Sequence, residues 1–177
     1  LNWFGPFTNI QQVKEWEESN GNDTYLYLIR GKKKYAKKVR AYYCGQAYKQ
    51  SAGKRIRNKH HHIEEVAQAA DHLCIYVAKF DGIVPTKKLL NVVENLFISF
   101  LFQHLVKEPD IMLNKQSFYK PKNNCYVVNN WFSPSMKEIL RYKKDSFCKL
   151  IPDTICYYAE TGAIYGASKI THIVDLY

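Results

Sequence analysis

Apolar residues recur along the chain with two different periods, and the changes of period divide it into elements. Between Asn9 and Ser19, Ile10, Val13 and Trp16 fall at helical spacing and Asn20-Gly-Asn-Asp stops the run, which predicts a short amphipathic helix and a turn. Tyr25-Leu-Tyr-Leu-Ile-Arg30 is dense in aromatic and branched side chains and predicts a strand. Gly31 and the lysines after it predict a charged hairpin loop. Val39 to Cys44 follows as a second strand that ends at Gly45 and pairs antiparallel with the first. From Ala52 to Ala70 the stripe Ile56, His60, Ile63, Ala67 and Ala70 returns at steps of four and three, the signature of a helix. Leu73 to Phe80 predicts a strand closed by Asp81-Gly82. Thr86 is placed to cap a long helix running to about Lys107 and ended by Pro109.

The order strand, strand, helix, strand, helix predicts an α/β (α+β) fold with a small three-stranded, mainly antiparallel sheet flanked by helices. Beyond Asn114 the pattern changes again. Asn124 to Phe132, Phe147 to Ile151 and Thr154 to Tyr158 are strand-like and divided by Pro134, Pro152 and Gly162, which predicts a β-rich C-terminal extension. The expected division is an N-terminal helical arm at 1–22, a core at 23–118 and the extension at 119–177. A chain of 177 residues with 46% apolar residues is long enough for one substantial core.

Charge changes the picture. The formal net charge is +10, and twelve basic residues lie between Arg30 and Lys59 without a single Asp or Glu. Such a block repels itself unless a polyanion covers it, and nucleic acid is the commonest partner because each neutralised phosphate releases counterions; the alternative reading is a solvated basic face or a localisation signal. The longest apolar stretch, Leu89 to Val106, is broken by Asn91, Glu94, Asn95, Gln103 and His104, so no membrane span is expected. Five scattered cysteines without ligand spacing argue for a reducing, cytoplasmic setting and against structural zinc. The chain starts at Leu1 rather than Met, which leaves room for further domains ahead of it.

Three groups of residues are candidates for chemistry. Glu94 is the only charged side chain between Leu89 and Val106, with Leu90, Phe97 and Ile98 as helical neighbours. It either points to solvent on a narrow polar face with Asn91 and Asn95, or leaves an apolar face and needs a pair or a metal. Tyr27 and Tyr43 lie on paired strands beside the basic block, where a guanidinium or metal-bound water would draw a phenolic proton toward neutral pH. In Lys54-Arg-Ile-Arg-Asn-Lys-His-His-His62, Ile56 marks the buried stripe and Arg55 and Arg57 flank it by about 100° to either side. Lys59 and His62 share Arg55's side, His61 shares Arg57's, and His60 falls on the buried stripe. Three consecutive histidines on a helix point in different directions and do not make a metal site.

In order, Tyr25-Leu-Tyr27-Leu-Ile, Tyr43-Cys-Gly45-Gln-Ala, Lys54-Arg-Ile56, Glu94 and Leu113-Asn114 resemble the GIY-YIG nuclease superfamily, over about Asp23 to Lys115. Tyr27 takes the place of the tyrosine ending the first motif, Tyr43 of the one opening the second, Arg55 of the helical arginine, Glu94 of the metal-binding glutamate and Asn114 of the asparagine that follows it. Tyr25 departs from the family's first Gly, Cys44 from the central Ile, and the linker between motifs is longer and holds the lysines. The family's His four residues after the Arg corresponds to Lys59 counted from Arg55, or to His61 counted from Arg57. Arg55 is preferred because Ile56 supplies the hydrophobic residue that normally follows.

The resemblance implies a metal-dependent DNA endonuclease, with a sequence-specific type II restriction enzyme as one branch. It implies catalytic roles for Tyr27, Tyr43, Arg55, Lys59, His60 and Glu94, with one Mg²⁺ or Mn²⁺ held by Glu94. Lys32, Lys33, Lys34, Arg57 and Asn114 are the expected DNA contacts. The partners are double-stranded DNA and a second copy in a homodimer as an option, with the extension supplying either DNA or dimer contacts. The alternatives are a catalytically silent nucleic-acid-binding module of the same fold, or a repair or mobile-element nuclease domain.

Overall fold

At the centre of the molecule β2 (Leu26–Lys33) lies between β3 (Arg40–Gln46) and β4 (Ala70–Lys79), antiparallel to both. Leu26, Tyr27, Leu28 and Ile29 are all fully buried. A strand that shows water neither face reads as a continuous apolar run, and that is why Tyr25 to Arg30 does not alternate. The structure is a computed structural model and describes residues 1–21, 23–33, 40–56, 70–105, 111–114, 121–137 and 151–167.

The fold is mixed α+β, and its sheet is wider than three strands. β1 (Asn2–Phe7) pairs antiparallel with β4, β7 (Asn130–Phe132) parallel with β1, and β5 (Ile111–Met112) parallel with β3. The six strands run β5-β3-β2-β4-β1-β7, with the expected three at the centre. The additional strands carry little local signal: β5 and β7 have two and three residues, and β1 contains Gly5-Pro6. The segment expected as an N-terminal helical arm carries β1 as well as a helix, and its fully buried Trp3 lies within the sheet core. The boundary at 118/119 does not separate two sheets, since β7 belongs to the main one.

A second sheet, β6-β8-β9, is antiparallel and consists of β6 (Cys125–Val128), β8 (Thr154–Tyr158) and β9 (Ala163–Ala167). The single strand expected from Asn124 to Phe132 is thus two strands in different sheets, divided at buried Asn129. Its amide accepts from Trp3 Nε1 at 2.9 Å and donates to the Pro152 carbonyl at 3.1 Å, tying the sheets together. The strand expected at 147–151 lies outside the described residues except for Ile151.

Helices cover both faces of the main sheet. On one face α3 (Lys87–Phe100) buries Leu90, Val93 and Phe97 with Leu28, Tyr76 and Ile155 of the two sheets. Thr86 caps α3, its hydroxyl accepting from Leu89 N at 3.2 Å, and a π-helical turn, Leu101–Leu105, continues it. On the other face α1 (Ile10–Asn20) and α2 (Ala52–Ile56) pack Val13, Trp16 and Ile56 with Tyr27, Ile29 and Val77. The helix expected from Ala52 to Ala70 is described only to Ile56, and Ala70 already begins β4. Among the described residues no helix is long and apolar enough to cross a membrane.

Candidate active site

The pairing of β2 with β3 sets Tyr27 opposite Gly45 and Ile29 opposite Tyr43. The rings of Tyr27 and Tyr43 stack with centroids 6.0 Å apart and 21° between planes. Gly45 makes room for this. A Cβ there would lie 2.3 Å from Tyr27 Cζ and 2.4 Å from its hydroxyl oxygen. The strand does not end at this glycine but runs through it to Gln46. Gly45→Ala is expected to lower the free energy of unfolding by about 1–3 kcal/mol, the usual cost of overpacking, as read by urea denaturation at constant m. A change below about 0.5 kcal/mol, the range of neutral surface substitutions, would mean that the Tyr27 ring is not confined.

Beside this pair opens a cleft of about 550 Å³ lined by Tyr27, Tyr43, Gln46, Arg55 and Glu94, among others. It draws on both layers of the fold, with Tyr27 and Arg55 from the α2 side and Glu94 from α3 on the other. They meet where β3 loses its strand neighbour. β5 pairs with Ala41 and Tyr42 only, and beyond that point the Asn114 side chain takes over: its Oδ1 accepts from Cys44 N at 2.9 Å and its Nδ2 donates to Cys44 O at 2.7 Å. Asn114, expected to contact DNA, therefore has both halves of its amide engaged by β3. These bonds hold Tyr43 and Gly45 in place and leave the second lone pair of Oδ1 and the second hydrogen of Nδ2 for another partner.

Glu94 is 6% exposed, so it does not point to solvent as an ordinary surface glutamate would. Burial raises its pKa, and the Gln46 hydrogen bond and the charges of Lys87 and Arg55 oppose that rise only in part. Gln46 Nε2 donates to both Glu94 Oε2 and Asn91 Oδ1, while Gln46 Oε1 accepts from Lys87 Nζ at 2.7 Å. Lys87 thus reaches the far end of the Gln46 amide rather than the carboxylate. Two lysines, Lys87 and Lys88, open α3 with no acidic residue in its first turn, against the helix dipole.

The tyrosines differ from expectation. Burial, then the charge of Tyr43, pushes the Tyr27 hydroxyl far above the ordinary tyrosine range, and Arg55 offsets little of it. Burial, then Glu94, raises Tyr43 as well. Arg55 lowers both tyrosines, but burial raises them more, so without a metal the guanidinium does not draw a phenolic proton toward neutral pH. Tyr27 lines the cleft, and its buried hydroxyl has no hydrogen-bond partner of good geometry among the described residues.

Tyr27, Tyr43, Arg55 and Glu94 are brought together as expected. Lys34, Arg57, Lys59, His60 and His61 lie outside the described residues, and Lys32 and Lys33 are described only as backbone in β2. The cleft residues that sequence reasoning missed are Gln46, Tyr48, Gln50 and Lys87. A lysine at a helix start is a signal that could have found Lys87, but Gln46 and Gln50 carry none.

Among the described residues no three of His, Cys, Asp and Glu cluster, so a metal here would rest on one carboxylate. That fits hard Mg²⁺ or Mn²⁺, which take one or two carboxylates and complete their shell with water and substrate phosphate oxygens. The buried carboxylate of Glu94 lines the cleft with Asn91 and Asn95, and Gln46 Nε2 already bonds its Oε2 and Asn91 Oδ1, so an ion would take the other carboxylate oxygen or displace Gln46. Comparison with protein-family models, curated proteins and solved structures returns no match.

Proposed function

We propose that this chain is a metal-dependent DNA endonuclease with a GIY-YIG-type active centre. The observation that carries the reading is the convergence of Tyr27, Tyr43, Arg55 and Glu94, from four elements and both sheet faces, on one cleft with a buried carboxylate. Water attacks the phosphorus and the bond to the 3′-oxygen breaks. Arg55, a fixed guanidinium fork, offsets charge developing on the phosphoryl oxygens. The neutral hydroxyls of Tyr27 and Tyr43 orient the attacking water through hydrogen bonds. Lys87 adds a second cation at the cleft, and Lys59, or one of His60 and His61, relays the attacking water's proton to the leaving 3′-oxygen. Glu94 would hold Mg²⁺ or Mn²⁺, which supplies Lewis-acid stabilisation of the leaving oxygen when bound. The free thiols Cys44, Cys74, Cys125 and Cys156 support a cytoplasmic setting. Homodimerisation through residues 119–177 belongs to the same reading, and sedimentation with and without DNA decides it.

The test is incubation of supercoiled plasmid with the purified chain. Nicking or linearisation in Mg²⁺ or Mn²⁺ that disappears in EDTA is the expected result, and sequencing the new ends gives the cut positions. Binding at low salt without metal-dependent cleavage would replace the enzyme by the silent binding module.

Binding to duplex DNA should fall steeply with salt. Replacing Lys32, Lys33 and Lys34 by Ala should flatten the slope of log K against log[salt] by about 2 to 3, roughly 0.9 for each phosphate no longer neutralised, without altering sequence preference. An affinity indifferent to salt would remove nucleic acid as the partner.

A further inference from the structure

The buried acid Glu17 lies outside the cleft and takes no part in the chemistry above. It is 1% exposed, on the inner side of α1, and its two oxygens hold the first two backbone amides of α2. Oε1 accepts from Ala52 N at 2.8 Å and Oε2 from Gly53 N at 2.9 Å. The hydroxyl of fully buried Thr24 donates to Oε1 and lies 3.2 Å from the same Ala52 amide. Ser51 takes the next two, its Oγ accepting from Lys54 N at 3.2 Å and its carbonyl from Arg55 N at 3.0 Å. Every amide of the first turn therefore has an acceptor.

An ordinary cap is supplied by the residue just ahead of the helix, as Ser51 does here. Two amides of α2 are instead held from 35 and 36 residues away. Gly53 permits the approach, because a Cβ there would lie 2.7 Å from Lys14 Cγ and 2.8 Å from Glu17 Oε2. Arg55 follows this pinned turn directly and precedes buried Ile56, so any shift of the start of α2 carries the guanidinium into or out of the cleft.

We propose that Glu17 is a positioning residue for Arg55, a role that rests on the nuclease reading of the cleft. Its carboxylate fixes the start of α2 and thereby the point at which the guanidinium meets the phosphoryl group. Residues 1–22 are then part of the catalytic unit.

The test uses the full chain and two variants. Glu17→Gln keeps one acceptor but presents an NH₂ group to the Gly53 amide, and Thr24→Val preserves shape while removing the hydroxyl that holds Oε1. On a duplex oligonucleotide, kcat should fall on the order of 10²-fold in Glu17→Gln, the scale of an ångström-sized misplacement. In Thr24→Val it should fall about tenfold, the scale of one hydrogen bond. KM should stay within about twofold in both, since Arg55 acts on charge that develops after binding. In an Arg55→Lys background Glu17→Gln should cost much less than in the wild type, because the group it aims is already altered. Equal cost in the two backgrounds, or a rise in KM at constant kcat, would overturn the proposal.

A second readout needs no activity. The heteronuclear NOE of the Arg55 Nε–H group should drop in both variants while that of the Trp16 indole does not. An unchanged Arg55 signal would overturn the positioning role even if cleavage fell. A wild-type chain that cleaves nothing would reject the nuclease reading, and the Arg55 signal would then decide the positioning role alone. Thr24→Val answers the question if Glu17→Gln does not fold.

Discussion

Glu94→Gln should abolish metal-dependent cleavage, lowering the rate by at least about a thousandfold, while duplex binding and the fold remain. Gln keeps the size and one oxygen but loses the charge, so a hard divalent ion loses its protein ligand and the several kcal/mol it offers the transition state. Every ~1.4 kcal/mol is tenfold in rate. Thermal unfolding provides a check independent of turnover. The wild-type Tm should rise with Mn²⁺ and the variant's should not, because a ligand stabilises only the state that binds it.

The same residue predicts a pH dependence in metal-free buffer. Its folded pKa lies above the ordinary value of 4.5, so folding disfavours the ionised form. That penalty is absent below the ordinary value and grows as pH rises from there through the raised folded value. Wild type should lose stability relative to Glu94→Gln across that window, measured by urea unfolding at pH 4 and pH 7. A difference that does not grow with pH, together with wild-type cleavage by the variant, would remove Glu94 from the site.

Arg55→Ala is expected to reduce cleavage by about 10²–10³-fold with little change in affinity for DNA. A fixed cation contributes most where charge develops, and losing one such group typically costs that much. Arg55→Lys should recover only part of the loss, because an ammonium cannot present the planar fork to two phosphoryl oxygens. Arg57→Ala should mainly weaken binding. Single-turnover rates beside equilibrium titrations separate the two effects, and the reverse pattern would make Arg57 the catalytic arginine and His61 its partner.

Much of the architecture was legible because its signals are local. Thr86 caps its helix through its own side chain, and the helical spacing of Ile10, Val13 and Trp16 needs no partner to be seen. The apolar runs of β2 and β4 announce strands buried on both faces. The candidate site was legible in residue type, since a lone carboxylate in an apolar helix and tyrosines on paired strands stand out before any contact is known.

What sequence could not supply depends on groups far apart in the chain. β1, β5 and β7 are too short or too interrupted to be strands alone and exist through pairing with β4, β3 and β1. Gly45 looked like a strand end and lies one residue from it, and only the structure shows that the Tyr27 ring opposite requires a glycine there. The Asn114 amide pairs with the backbone of Cys44, 70 residues away in the chain. The raised pKa of Tyr27 follows from burial beneath elements drawn from the whole chain. Local periodicity and capping determined which segments become helices and strands. Desolvation and side-chain hydrogen bonds depend on distance in space rather than along the chain, so only the tertiary structure decided the protonation of the tyrosines, the setting of Glu94 and the anchoring of Arg55.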